Sequence, residues 1–340
     1  MKCILVEGPR QLRIVERERP EPGPGEVRVR VGFAGICGSD MHIFHGTHPF
    51  VKYPRIIGHE FAGAIDAVGD GVPEERIGQR VSVNPVISCG RCYQCLVGRP
   101  NVCSSLQVLG VHREGGFAEY CCVPEDLAIA VPDTVDDAAA ATVEPFSIAA
   151  NILSRTGVLS LDTGLVYGAG PIGLTIIQAL KGVFELKRLV VTDRVDSRLE
   201  LARASGADIV VNTTGRKLPE VLEEAGIVPT LIIDAACHPS IAEEAIDLAS
   251  PAARIGLMGF SPDPSRISQR KMNAKELTLY ASRLNNRQFP NVIEWMAAGR
   301  IRPDAFISHR FPFTQVTEAF ELLENNPLAC CKVLLDFSAS

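Results

Sequence analysis

Leu165-Val166-Tyr167-Gly168-Ala169-Gly170-Pro171-Ile172-Gly173 sets three glycines at the G-x-G-x-x-G spacing directly after an apolar run. The first glycine permits a tight turn, the second lets backbone approach a pyrophosphate, and the third lets a helix pack on the preceding strand. A helix opening at this point adds the partial positive charge of its N-terminus. The next apolar run ends at Asp193, the spacing at which a carboxylate meets the ribose hydroxyls of a dinucleotide and repels a 2′-phosphate, so NAD is expected ahead of NADP. Arg194, directly after it, works the other way, since a guanidinium can bind that phosphate. Gly168, Gly170, Pro171, Ile172, Gly173, Asp193 and Arg198 are the cofactor-side candidates. A tight strand–helix turn with no ligand is the bland alternative.

Outward from that turn, apolar runs at 163–167, 188–192, 209–211, 230–235, 254–258 and 277–281 predict strands. Helical patterns fall between them at 171–182, 198–204, 218–225 and 240–248. Alternation of this kind indicates βαβ units on a parallel sheet. The residues before about 140 instead carry short β-branched runs between Gly/Pro turns, an all-β pattern. An alanine-rich stretch from Ala138 to Leu153 reads as the helix where the texture changes. After Pro290 come the helical segment N-V-I-E-W-M-A-A-G and a final strand, C-K-V-L-L-D-F, a tail expected to return to the first domain. Two domains suit 340 residues, with residues 1–143 and 291–340 in one and 144–290 in the other.

Composition is that of a folded globular chain, 46% apolar and 22% charged. A net charge of −6 and a pI near 5.7 argue against the basic surface that nucleic acid needs. The apolar stretch 165–180 is cut by Gly168, Gly170, Pro171 and Gly173, so no membrane span is expected. M-K-C-I-L-V-E-G-P-R turns polar too soon for a signal peptide, which makes the cytoplasm the expected compartment.

Cys89, Cys92, Cys95 and Cys103 form a C-x2-C-x2-C-x7-C cluster in a lobe of residues 86–105. Four thiolates at such spacings suit a closed, tetrahedral structural zinc site. Disulfides fit poorly with 11 Cys, an odd number. An iron–sulfur cluster, which also takes closely spaced thiolates, stays open. A second constellation is sparser: G-I-C-G-S-D-M-H supplies Cys37, Ser39, Asp40 and His42, I-G-H-E supplies His59 and Glu60, and V-E-P-F supplies Glu144. Thiolate, imidazole and carboxylate make a three-ligand zinc set with an open position. Spacing alone does not establish it, because Cys37 and His59 are too far apart for a local chelate.

G-I-C-G-S-D, G-H-E, the four-cysteine lobe and G-A-G-P-I-G, in this order, resemble the zinc-dependent medium-chain alcohol dehydrogenases, in particular their polyol and sorbitol dehydrogenase branch. The resemblance covers essentially the whole chain. It implies a GroES-like β-rich catalytic domain, built from both ends, with an inserted Rossmann domain whose parallel sheet is doubly wound. It also implies two Zn2+ per chain, one catalytic and one structural, NAD as cofactor, and a homo-oligomer, dimer or tetramer. By motif, Cys37 and His59 are catalytic-zinc ligands, and Glu60 and Glu144 compete for the third and water-linked positions. Asp40 orients the imidazole, Ser39 takes the substrate proton, and His42 relays it toward solvent.

The same resemblance implies a small-molecule substrate with vicinal hydroxyls. An alcohol hydroxyl is a poor acid and hydride leaves carbon readily only once the proton is withdrawn, which is the help a Lewis-acidic ion gives. Arg283 aligns with a substrate-pocket arginine of the polyol enzymes, and Glu144 lies on the substrate side as well. Leu284 stands where that branch has tyrosine, a departure that points away from sorbitol. A guanidinium binds a carboxylate bidentately, so a sugar acid such as a hexonate joins the polyols as a candidate, with Arg113, His112 and Arg287 as additional charge. A threonine-type amino-alcohol dehydrogenase shares the same motifs, and a sensor or binding protein that keeps the fold is the reading from another class.

Overall fold

Glu26–Ile36 reads E-V-R-V-R-V-G-F-A-G-I, and its alternation buries Val27, Val29 and Val31 while Arg30 faces out. Arg28, on the same face as Arg30, is buried only because Asp66 and Glu21 accept its guanidinium hydrogen bonds at 2.8 and 3.0 Å. In the computed structural model, which describes residues 1–338, this strand organises the first of two units. That unit comprises Met1–Glu144, Asn285–Ala297 and Ile307–Ser340. Antiparallel to Glu26–Ile36 run Glu60–Val68, Tyr120–Pro124 and the C-terminal strand Lys332–Asp336. Arg80–Val83, Ala128–Ala130 and Ile307–Pro312 complete the seven-stranded sheet. Its register sets Glu60 opposite Gly35 and Val333 opposite Ile36. Residues from three distant parts of the chain therefore end beside Cys37.

The second unit, Pro145–Leu284 with Ala298–Phe306, holds the parallel sheet. Its strands are β1 (Thr163–Tyr167), β2 (Arg188–Asp193), β3 (Ile209–Asn212), β4 (Leu231–Asp234), β5 (Arg254–Leu257) and β6 (Thr278–Ala281), in the spatial order β3-β2-β1-β4-β5-β6. Helices α1 (Pro171–Gly182), α2 (Asp196–Ala204), α3 (Leu218–Glu224), α4 (Pro239–Leu248) and α5 (Gln269–Lys275) make the connections. The strands are nearly continuous in Val, Ile and Leu because both faces of a parallel sheet are covered. Strand order reverses between β1 and β4, the switch point where a ligand crevice opens in such sheets. The GroES-like plus Rossmann architecture expected above is thus what the chain adopts.

Three details differ from the sequence reading. The alanine-rich segment is two helices, Asp137–Ala140 and Val143–Thr156, separated by a tighter turn in which Thr142 N donates to Ala139 O at 2.9 Å and Thr142 Oγ1 to the same oxygen at 2.7 Å. The first unit reclaims the chain at Asn285 rather than 291, as Asn285 Nδ2 donates to Asn84 Oδ1 at 3.2 Å and Asn286 Nδ2 to Gly98 O at 2.9 Å. Ala298–Phe306 then belongs to the second unit, where Arg302 N donates to Gln178 Oε1 at 2.8 Å. No helix among the described residues is long and apolar enough to cross a membrane.

Candidate active site

Cys37 follows the end of Glu26–Ile36 and stands at the N-cap of the helix Gly38–His45. Asp40, wholly buried, accepts the N–H of Cys37 at 2.8 Å and of Gly58 at 3.3 Å. One carboxylate thereby ties the start of the helix to the loop that carries His59. Asp40 Oδ1 stands 3.6 Å from His59 Nδ1, and Ser39 Oγ lies 3.4 Å from His59 Nε2. Ligand atoms of Cys37, His59 and Glu60 all lie within 4.8 Å of one another. Glu144, buried in the first turn of Val143–Thr156, does not join that set but is close enough to feel it. Burial pushes its carboxyl up to about 7, with His59 opposing the rise and Glu60 adding to it.

The donor chemistry fits a divalent cation. Burial opposes charge on His59, yet Asp40 and Cys37 raise its pKa well above that of an ordinary imidazole. A cluster so rich in anionic donors attracts positive charge, and thiolate, imidazole and carboxylate form a set that zinc accepts. Lys332 was not anticipated. Its Nζ lies 2.8 and 2.6 Å from the two Glu60 oxygens and donates to Ile36 O at 3.3 Å, with both side chains buried. Burial works against the Lys332 charge, but Glu60 and Cys37 outweigh it and raise the pKa. A lysine inside the apolar run C-K-V-L-L was the available signal, since a buried strand admits a charge only with a partner. Gly35 is required opposite Glu60, because a Cβ there would collide with the carboxylate.

His42, exposed on the same helix, has Nδ1 3.0 Å from Thr47 Oγ1, and that hydroxyl lies 3.3 Å from His42 O. A carbonyl can only accept, so the hydroxyl donates to it and accepts from Nδ1–H. The tautomer this selects leaves the Nε2 lone pair available for a proton. Thr47, too, was missed in the sequence. Thr47→Val is expected to lower kcat about tenfold without changing the NADH dissociation constant; steady-state kinetics with a binding titration checks this.

In the cysteine lobe the four sulfurs also lie within 4.8 Å of one another, with Cys92 Sγ 3.4 Å from Cys95 Sγ and 3.7 Å from Cys103 Sγ. Tetrahedral zinc with Zn–S bonds of about 2.3 Å sets sulfurs about 3.8 Å apart. Backbone N–H groups of Ser104 and Cys95 pull the Cys92 thiol down to about 5, while burial and then Cys92 and Cys103 push Cys95 up to about 11. Crowded thiols cannot all ionise without a cation among them. All 11 cysteines are free of disulfides. Cys95→Ser is expected to cost about one zinc per chain and to lower the melting temperature, while NADH affinity stays unchanged; elemental analysis and a thermal melt read both.

The second unit carries a cleft of about 1130 Å³ lined by Gly168, Gly170, Asp193 and Arg198, with Arg194 at its side. Gly168 has φ +90 and a Cβ on it would press on Ala236, while a Cβ on Gly173 would strike Gly168 O. At Gly170, the N-cap of α1, a Cβ would meet nothing within 4 Å, which leaves open space for a pyrophosphate at the helix N-terminus. Pro171 takes the first helical position and Ile172 follows it. Asp193 Oδ2 accepts Ala169 N at 2.7 Å, and Oδ1 accepts Arg194 N and Val195 N at 2.7 and 3.0 Å. Its carboxylate is therefore fixed at the cleft wall. These features fit a dinucleotide.

Arg283 belongs to the second unit and lies exposed, its guanidinium 5.5 Å from the centre of the Phe260 ring. Asn151 Nδ2 donates to Ser282 Oγ and Leu284 O, both at 2.9 Å, and so holds that segment. Leu284 adopts φ 51 and Arg287, exposed, φ 56. Arg113 pairs with Glu26 at 3.3 Å, which commits its charge elsewhere. His112 Nδ1 accepts Val108 N at 3.1 Å, and the ring stacks with Phe50 at 6.1 Å.

Residues 23–133 match a family model described as alcohol dehydrogenase GroES-like domain, and residues 171–298 one described as zinc-binding dehydrogenase. Starvation-sensing protein RspB of Escherichia coli (strain K12) is 57% identical over 338 residues, 99% of this chain and 100% of that protein. L-galactonate-5-dehydrogenase of the same strain is 32% identical over 325 residues, 94% of each. The crystal structure of the alcohol dehydrogenase rspB from E. coli CFT073, complexed with NADH, matches with a TM-score of 0.96 at 56% identity, over 99% of each chain.

Proposed function

We propose, because this chain belongs to the zinc-dependent medium-chain alcohol dehydrogenase family, that it oxidises a secondary alcohol of a sugar acid or polyol with NAD as hydride acceptor. The set of half-buried Cys37 with buried His59 and Glu60 carries this assignment. A zinc ion held there would supply the Lewis acidity that makes a substrate hydroxyl a stronger acid. Cys37 and His59 are two of its protein ligands, and Glu60, with Glu144 beside it, provides the carboxylate. Asp40 holds both ligand segments in place. Ser39 Oγ takes the proton from the substrate hydroxyl, and His42 Nε2 accepts it at the exposed face of its helix.

Gly168 to Gly173 bind the pyrophosphate, Asp193 the ribose hydroxyls, and Arg198 the same end of NAD. The cysteine lobe holds the structural zinc, giving two ions per chain. A homo-oligomeric cytoplasmic enzyme, dimer or tetramer, is part of the same proposal. Sugar acids are favoured over sorbitol by Leu284 in place of tyrosine and by the likeness to a galactonate dehydrogenase; Arg283 would pair with the carboxylate bidentately. NADH formation across hexonates, hexitols and L-threonine, with NAD and NADP in separate series, tests this. The highest kcat/KM is expected for a hexonate with NAD. Threonine as the only substrate would assign an amino-alcohol dehydrogenase, and no turnover of any alcohol would leave a binding or sensing role.

A further inference from the structure

The turn of residues 284–287, directly after Arg283, runs against ordinary backbone preference. Leu284, with φ 51, and Arg287, with φ 56, both adopt the left-handed region, which a bulky side chain holds only where its surroundings over-determine it. Among the described residues no backbone N–H from 284 to 288 donates to a backbone carbonyl. Side chains supply the constraint instead. Asn285, 1% exposed, donates from Nδ2 to Asn84 Oδ1 at 3.2 Å, and that oxygen also accepts Val86 N at 3.2 Å. Asn286 Nδ2 donates to Gly98 O at 2.9 Å, and Gln288 Nε2 closes the turn on Asn286 O at 3.0 Å. Val86 opens the strand Val86–Ile87 that leads into the cysteine lobe, and Gly98 stands in the lobe between Cys95 and Cys103. Gly98 takes its place from the sulfur ligands: Cys92 is the N-cap of the short helix Tyr93–Leu96, Cys95 lies within it, and Gly98, with φ 74, donates its N–H to Cys95 O at 3.1 Å. A run of hydrogen bonds thus leads from the cysteine cluster to the turn after Arg283.

We propose that the cysteine lobe, acting through Asn286, sets the conformation of the turn 284–287 and with it the affinity for a substrate carboxylate. Asn286 is then a positioning residue for Arg283, and loss of the lobe's metal is felt by the substrate. The inference rests on the reading of Arg283 as the carboxylate partner. A bidentate guanidinium–carboxylate pair depends on orientation as well as on charge, and Arg283 is two residues from Asn285 along the chain. A neutral polyol makes no such pair, so its binding does not depend on the turn. The cleft of the second unit is lined by no residue of the turn or the lobe, which leaves NADH binding unaffected.

Steady-state kinetics with the parent's best hexonate and the hexitol of matching configuration, beside the rate of tryptic cleavage after Arg287, tests this. The proteins compared are the zinc-loaded parent, Asn286→Ala, Cys95→Ser and the double variant. Asn286→Ala is expected to raise KM for the hexonate about three- to tenfold, with kcat, the hexitol KM and the NADH dissociation constant unchanged. Cleavage after Arg287 should quicken by a similar factor, because a turn that opens more often is cut more often. Cys95→Ser should act in the same direction on both readouts, and the double variant should match the more affected single variant, since both substitutions interrupt one series of contacts. An unchanged hexonate KM in Asn286→Ala overturns the proposal, as do equal rises for hexonate and hexitol or effects of the two substitutions that add. A parent that oxidises no sugar acid overturns the substrate reading, and the cleavage rates then decide by themselves whether the lobe holds the turn.

Discussion

His59→Ala is expected to lower kcat/KM for the alcohol by a factor of about a thousand or more, with NADH affinity unchanged. The size follows from what is lost: Lewis-acid help at a metal site is worth several kcal/mol, and about 1.4 kcal/mol corresponds to a factor of ten. The locality follows from the fold. His59 and the cofactor cleft belong to separate units, so removing the imidazole leaves Gly168, Gly170 and Asp193 as they are. Steady-state kinetics with an NADH titration and zinc analysis checks all three parts. Zinc falls by about one ion per chain in the variant. A loss confined to KM would mean that His59 serves substrate binding, and an equal loss of NADH affinity would mean the variant is misfolded.

Lys332→Met should destabilise the metal-free protein by about 3–5 kcal/mol, the cost of leaving a buried charge without its partner. Glu60 and Lys332 are 1% and 3% exposed, and Lys332 supplies a donor to each Glu60 oxygen. Methionine matches the length of the stem but neutralises nothing. Lys332→Arg should recover part of the loss, since a guanidinium keeps the charge but must fit a pocket shaped for an ammonium. Urea unfolding at fixed ionic strength measures the difference. A change below about 1 kcal/mol, the range of exposed pairs, would mean that water reaches Glu60.

Much of this was legible in the chain before any coordinates. G-x-G-x-x-G followed by Asp193 requires a strand, a turn and a helix in one place, and β1, α1 and β2 provide them. Cys89, Cys92, Cys95 and Cys103 are close in sequence and therefore close in space. The catalytic candidates were different, because Cys37, His59 and Glu60 meet only through strand register. Motif resemblance singled them out where spacing could not. Lys332 lies furthest from reach: it is 272 positions from Glu60, and only the pairing of Lys332–Asp336 with Glu26–Ile36 brings the two together. Thr47 escaped notice for a related reason: its significance lies in a tautomer, which leaves no pattern in residue order.

Zinc content of the purified protein and of Cys37→Ser, measured beside alcohol-dependent NADH formation, tests the catalytic metal most directly. About two ions per chain in the parent and about one in an inactive variant that still binds NADH are expected. About one ion per chain in both proteins, with alcohol oxidation undiminished in Cys37→Ser, would contradict a metal at Cys37, His59 and Glu60.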